Sequence, residues 1–199
     1  MELYGLFPVP LGIFKIQRDI TKEEINFLLS QEKRSNENNT SSSNFNIIES
    51  KPLKDIKLFC QQSSIQYILT VYNPKYPIKC RFTQSWANYT EKNQSHHYHT
   101  HQNSFISGVF YLQSDKSTAP ICFHVPNPGA YEISTNEHTD FSCGARWFEA
   151  EAGSLLLFPS SLPHSVQKNN SDTTRISISF NTFLAGRLGE KMALTELYI

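Results

Sequence analysis

The chain has 199 residues, 39% of them hydrophobic and 13% aromatic, and its 18 basic and 18 acidic side chains balance to a formal net charge of +0. That composition excludes a disordered chain, and the charge balance argues against a basic nucleic-acid-binding face. The length predicts one domain, residues 1–199, with room for a sizeable core. Cys60, Cys80, Cys122 and Cys143 are far apart in the sequence, with no CxxC pair. This argues against a disulfide scaffold and for free thiols in a reducing cytoplasm.

The N-terminal MELYGLFPVPLGIF is apolar. It has no basic segment, no small-residue cleavage site and no run of about twenty apolar residues, so neither a signal peptide nor a membrane helix is expected. LFPVPLGIFKIQRD predicts an edge strand, because Pro8 and Pro10 cannot donate to a ladder. Thr21 followed by Glu24 is a capping-box signature, and Ile25, Leu28 and Leu29 give the helix after it an apolar stripe. Residues 35–44, SNENNTSSSN, predict a solvated polar loop. Leu53, Ile56, Phe59, Cys60, Ile65, Ile68 and Leu69 recur at helical spacing and predict a second, core-facing helix ending before Pro74. Beyond residue 80 the chain turns aromatic and β-branched with Gly, Pro and Asn punctuation. That texture predicts an all-β barrel or sandwich buttressed by the two helices.

Four of the chain's seven histidines fall in HHYHTH, residues 96–101. Residues two apart on a strand share a face, so His99 and His101 can aim at one point, and the pair His97 and His99 is an alternative register. His96 and His97 are otherwise read as surface or supporting residues. A third ligand is His164, where the apolar strand Leu155–Phe158 passes through a turn bounded by Pro159 and Pro163. Three neutral imidazoles suit a first-row transition metal and leave coordination positions open. Downstream, TTRISISFN alternates, placing Arg175, Ser177 and Ser179 on one face and Ile176, Ile178 and Phe180 on the other. An inward arginine needs an anion, and Arg175 with Ser177 offers a guanidinium and a hydroxyl to one carboxylate.

The set HTH…H…RIS, with SWANY, HTHQNSFISGVFYL and GSLLLFPSSLPHSV, resembles the iron(II)- and 2-oxoglutarate-dependent oxygenases. More narrowly it is similar to a prolyl-hydroxylase-like family of marine bacteria and their phages. The resemblance covers roughly residues 80–185. It implies a mainly β, double-stranded β-helix (jelly-roll) fold, with residues 1–78 as N-terminal strand and helices and 79–185 as the jelly-roll core. It implies iron(II), 2-oxoglutarate and O2 as cofactor and co-substrates, with oxidative decarboxylation to succinate driving hydroxylation. The implied metal ligands and catalytic centre are His99, His101 and His164. Arg175, Ser177 and Tyr111 are implied at the C5 carboxylate of 2-oxoglutarate, and Asn88 at the co-substrate or substrate. The family's usual second ligand is a carboxylate, whereas this chain has His101 there. The implied substrate is a protein or peptide residue, with a small molecule as the alternative, and no nucleic acid or membrane partner. The implied location is cytoplasmic, the host cytoplasm if the chain is phage-encoded. The exposed N-terminal strand and the C-terminal ALTELYI are candidate homodimer surfaces.

Phe105, Phe110, Phe123 and Trp147 are candidate pocket walls, each equally at home in a core. PNPGAYEISTNEH, with Glu132 and Glu137, is a candidate loop over the barrel mouth, and Arg146 a candidate rim cation or surface ion-pair partner. Two other functions compete with the oxygenase. One is a three-His cupin-type dioxygenase or metal isomerase without 2-oxoglutarate, against which Arg175-x-Ser177 argues. The other is a non-catalytic jelly-roll module, against which the joint presence of three histidines, Arg175, Ser177 and Tyr111 argues.

Overall fold

A computed structural model describes residues 1–126 and 133–199 of the chain. The chain lays down β1 (Gly12–Lys15), α1 (Lys22–Leu29), β2 (Lys33–Asn36), β3 (Asn39–Ser42) and α2 (Lys54–Tyr72) before the strand-rich part. There follow β4 (Ile78–Thr90), β5 (His96–His99), β6 (Ile106–Gln113), β7 (Ile121–His124), β8 (Ala145–Phe148), β9 (Ser154–Pro159), β10 (His164–Val166), β11 (Arg175–Leu188) and β12 (Leu197–Tyr198). The strands form a major antiparallel sheet in the order β1-β9-β6-β11-β4-β3-β2, with β12 on the far end of β11. A minor sheet runs β5-β10-β7-β8. This is the jelly roll expected from the resemblance.

Alternation on β11 gives the major sheet two different faces. Ile176, Ile178 and Phe180 point to the helices, where Leu28, Ile56, Cys60 and Ile68 meet them in one core. The opposite face joins a second core, with Val109 and Tyr111 of β6, Phe123 of β7, and Leu156 and Phe158 of β9. The first core fixes the sheet, and the second lies inside the barrel beside the histidines.

The capping box on α1 forms as the sequence predicts: Glu24 N–H donates to Thr21 Oγ1, and Thr21 N–H donates to the Glu24 carboxylate. Glu24 is nonetheless buried, because Arg18 pairs with it. α2 stops at Asn73, a left-handed cap at φ 41°. Its stripe is shifted from the predicted one. Ile56, Cys60, Ser63, Ser64, Tyr67 and Ile68 are buried, while Ile65 and Leu69 lie on the exposed side, so two small polar residues take places on the inward face that the apolar pattern gave to larger ones.

The segment 35–44 departs from its prediction as a loop. It lies mostly in the hairpin β2–β3, turning at Glu37–Asn38 with Asn38 at φ 63°. β3 pairs with β4, and Asn39, Ser41 and Ser42 are buried. Short polar residues disguise a strand here, since its inward face meets polar rather than apolar neighbours. No helix among the described residues is long and apolar enough to cross a membrane.

Candidate metal and co-substrate site

β5 and β10 are antiparallel neighbours with His99 opposite His164, which brings together two histidines far apart in the chain. Their ring centroids are 4.3 Å apart. His101 lies just past the end of β5, held by its N–H donating to the Ser160 carbonyl at 2.9 Å. Its ring centroid is 4.9 Å from that of His99 and 5.1 Å from that of His164. One nitrogen of each of the three rings lies within 4.8 Å of the others, a spacing that can hold a metal ion.

Backbone carbonyls orient two of the rings. His99 Nδ1 faces the His97 carbonyl and His164 Nδ1 faces the Leu162 carbonyl, each at 2.9 Å. A carbonyl only accepts, so each Nδ1 carries the proton and each Nε2 keeps its lone pair for a metal. Burial, reinforced by the neighbouring imidazoles, pushes the His164 pKa down to about 3 and that of His101 to about 4. His99 is also lowered, chiefly by burial. All three imidazoles are therefore neutral at pH 7.

The candidate anion-binding side chains lie on the major sheet. Strand register sets Ser41, Asn88, Ser177 and Tyr111 in one row across β3, β4, β11 and β6. Arg175 pairs with Thr90 in the next row. Arg175 is 2% exposed. It donates to Tyr111 Oη at 3.3 Å and to Ser177 Oγ at 3.4 Å, with its guanidinium carbon 4.8 Å from the Tyr111 ring centre. Among the described residues no carboxylate lies within ion-pair distance of it, and its Nε has no partner. Asn88 donates through Nδ2 to Ser179, leaving its Oδ1 unpartnered, and Thr90 Oγ1 is likewise orphaned. An unpaired buried cation is costly, so Arg175 with the hydroxyls of Tyr111, Ser177 and Thr90 suits an anionic, hydrogen-bonding ligand, whereas Asn88 Oδ1, an acceptor only, would need a donor. Three imidazole nitrogens complete a donor set that fits iron(II) and 2-oxoglutarate.

All seven residues singled out in the sequence thus gather around the barrel interior. Sequence reading left His96 as a surface or supporting residue; its ring stacks on His99 at 4.6 Å, and His96, His97 and His99 form a second group with metal-holding spacing. That reading missed Glu37 on the β2–β3 turn, 3.7 Å from His97 Nδ1, and the buried Thr90 and Ser41. Of the candidate walls only Phe123 lines this interior. Phe110 and Phe105 belong to the helix-side core, and Trp147 is 53% exposed on the outer surface. Arg146 forms an exposed ion pair with Asp140. Glu132 lies outside the described residues, and Glu137 is exposed. An apolar groove of about 650 Å³ runs beside the minor sheet, lined in part by Leu6, Phe7, Phe123, Phe141, Phe148 and Leu162.

Residues 84–181 match the family model described as "Putative 2OG-Fe(II) oxygenase". No curated protein matches the chain by sequence. Solved structures share its fold. A Trichoplax adhaerens prolyl hydroxylase, in complex with a hypoxia inducible factor peptide fragment, superposes with a TM-score of 0.60 at 12% identity, covering 87% of this chain and 83% of that one. A Pseudomonas putida prolyl-4-hydroxylase gives 0.55 at 9% identity, with 87% and 92% covered. HygX from Streptomyces hygroscopicus, with nickel and 2-oxoglutarate bound, gives 0.57 at 11%, with 87% and 82% covered. By its jelly-roll segment, residues 84–181, the chain belongs to the iron(II)- and 2-oxoglutarate-dependent oxygenases, enzymes that use iron(II), 2-oxoglutarate and dioxygen.

Proposed function

We propose that this oxygenase holds iron(II) through His99, His101 and His164, anchors 2-oxoglutarate through Arg175, Ser177 and Tyr111, and hydroxylates a residue of a protein or peptide. The observation that carries the reading is a buried guanidinium with no counter-ion among the described residues, together with three converging neutral imidazoles. When bound, iron(II) and 2-oxoglutarate supply the oxidising power, by activating dioxygen as the co-substrate is split to succinate and carbon dioxide.

The chain's own residues bind, orient and shield. The Nε2 atoms of His99 and His164 present lone pairs fixed by the carbonyls of His97 and Leu162. Arg175 supplies the charge that pairs with the C5 carboxylate. Tyr111 Oη accepts from Arg175 and keeps its own proton to donate to that carboxylate, and the Ser177 hydroxyl does the same. Asn88 stands beside Ser177 on the neighbouring strand, and its Nδ2, which gives one hydrogen to Ser179, offers the other to the co-substrate. Phe123 and Phe158 pack against the His164 ring and exclude water from that side. The apolar groove beside the minor sheet supports an extended substrate over a small polar one, and the fold shared with a peptide-bound prolyl hydroxylase supports the same reading.

The test is an anaerobic titration of the iron-loaded protein with 2-oxoglutarate, followed by succinate release on admitting oxygen. A 2-oxoglutarate-dependent visible band and succinate are expected; absence of both overturns the proposal. A second reading is favoured by one feature, the all-imidazole ligand set: a three-His dioxygenase that needs no 2-oxoglutarate. It predicts iron binding and oxygen uptake unaffected by the co-substrate.

A further inference from the structure

On a regular strand His96 would point away from the side shared by His97 and His99. It does not, and the reason lies in the register of β5 against β10. His164 faces His99, yet Val166, two residues on, faces His96, three residues back. One extra residue on β5 makes a bulge, a device that re-aims side chains next to functional sites. The bulge turns His96 to the His99 side, where the two rings stack at 4.6 Å with 21° between their planes.

The direction in which His96 is displaced matters. Moving back along β5 from His99 to His96 leads to Gln94 and Asn93, whose backbone is tied to Asn169 by two hydrogen bonds. The Asn169 side chain in turn donates to the carbonyl of Thr90, the residue paired with Arg175. So β5 runs from the metal cluster at His99 and His101 toward the Arg175 level, and His96 stands along that span. No side chain among the described residues accepts or donates a hydrogen bond to the His96 ring nitrogens.

We infer that His96 is a positioning residue for the co-substrate: its imidazole donates a hydrogen bond to the metal-proximal carboxylate of 2-oxoglutarate and is not itself a metal ligand. This rests on the proposed function and assigns a role to a residue outside the three-histidine set. It also fits the charge of the site, because a neutral triad lacks the carboxylate that would otherwise compete for nearby donors.

Anaerobic titration of the iron-loaded protein with 2-oxoglutarate, read by the visible band of the chelate, tests it alongside metal analysis. For His96→Ala, iron stays at the wild-type stoichiometry and the 2-oxoglutarate dissociation constant rises about tenfold, equivalent to about 1.4 kcal/mol. His96→Gln keeps a donor and restores affinity to within about threefold, on the scale of one hydrogen bond to a charged group. Unchanged affinity in His96→Ala overturns the inference. So does loss of iron, which would make His96 a ligand, and so does weakened binding that Gln fails to restore, which would make its role packing. Thermal melts of both variants identify misfolding, and the glutamine variant then carries the test. A wild-type protein without any band refutes the proposed function itself, a separate outcome.

Discussion

His101 is the residue on which the chemistry of this site turns. The resemblance puts it where the family has a carboxylate, and the two neighbouring histidines already have their tautomers fixed by carbonyls. His101→Ala is expected to lower iron affinity by more than the roughly 10–100-fold that loss of a supporting residue costs. His101→Asp should retain both iron and succinate formation. Iron stoichiometry after desalting distinguishes the two; full iron retention in the alanine variant would remove His101 from the ligand set. Arg175→Ala removes a buried charge from the anchor and leaves the triad intact. It should raise the 2-oxoglutarate requirement by roughly 10–150-fold, the worth of hydrogen bonds to a charged group of about 1.5–3 kcal/mol. Loss of iron in that variant would contradict the role given to Arg175.

The histidines also predict a pH dependence of folding. Burial depresses their pKa values from 6.5 to about 3 for His164 and about 4 for His101. Between those values and 6.5 the unfolded chain binds more protons than the folded one. The metal-free protein therefore has its full stability from these groups above pH 6.5 and loses it as pH falls below. For the buried His164 the slope is about 1.4 kcal/mol per pH unit. Melting curves of metal-free protein between about pH 8 and pH 5 check this, and a flat midpoint would refute it.

At the scale of elements, the fold depends on close approaches that small residues permit. Gly108 on β6 lies opposite Phe180 on β11, and the Phe180 ring occupies the space that a Cβ at position 108 would need. Phe180 is wedged from the other side by Phe82, with ring centres 4.8 Å apart. Gly108→Ala should therefore destabilise the protein by about 1–3 kcal/mol through overpacking. Denaturant unfolding would show it as a lower midpoint with unchanged slope. The hairpin β2–β3 illustrates why some elements are illegible in the sequence. Its strand residues Asn39, Thr40, Ser41 and Ser42 carry no hydrophobic alternation, so a periodicity reading sees a loop. Pairing with β4 and the polar row on the barrel face make it a strand. The reverse holds for β11, where Ile176, Ile178 and Phe180 alternate with Arg175, Ser177 and Ser179, and the two faces match the sequence prediction.

For the whole molecule, metal and co-substrate bind the folded state and not the unfolded chain, so they raise its apparent stability. At about a hundred times the dissociation constant, a ligand adds about 2.7 kcal/mol. Anaerobic iron(II) with 2-oxoglutarate should raise the melting temperature, and a chelator should reverse the shift. 2-Oxoglutarate without metal should give less, because only the Arg175 end of the site then engages it. An equal shift with and without iron would mean that the two sites are not contiguous.

The sequence by itself determined the class of fold, and it named the candidate ligands in their order along the chain. Strand alternation and residue chemistry are local properties, and His99, His101, Arg175 and Ser177 each announce themselves within a few residues. Only the tertiary structure decided what stands opposite what. Pairing of β5 with β10 put His164 against His99, and pairing of β3, β4, β11 and β6 assembled the polar row from four separate strands. The bulge that turns His96 inward exists only as a mismatch between two strands, so no reading of HHYHTH alone contains it. Register is set by packing and hydrogen bonding across the sheet, and those energies are not written in any single strand.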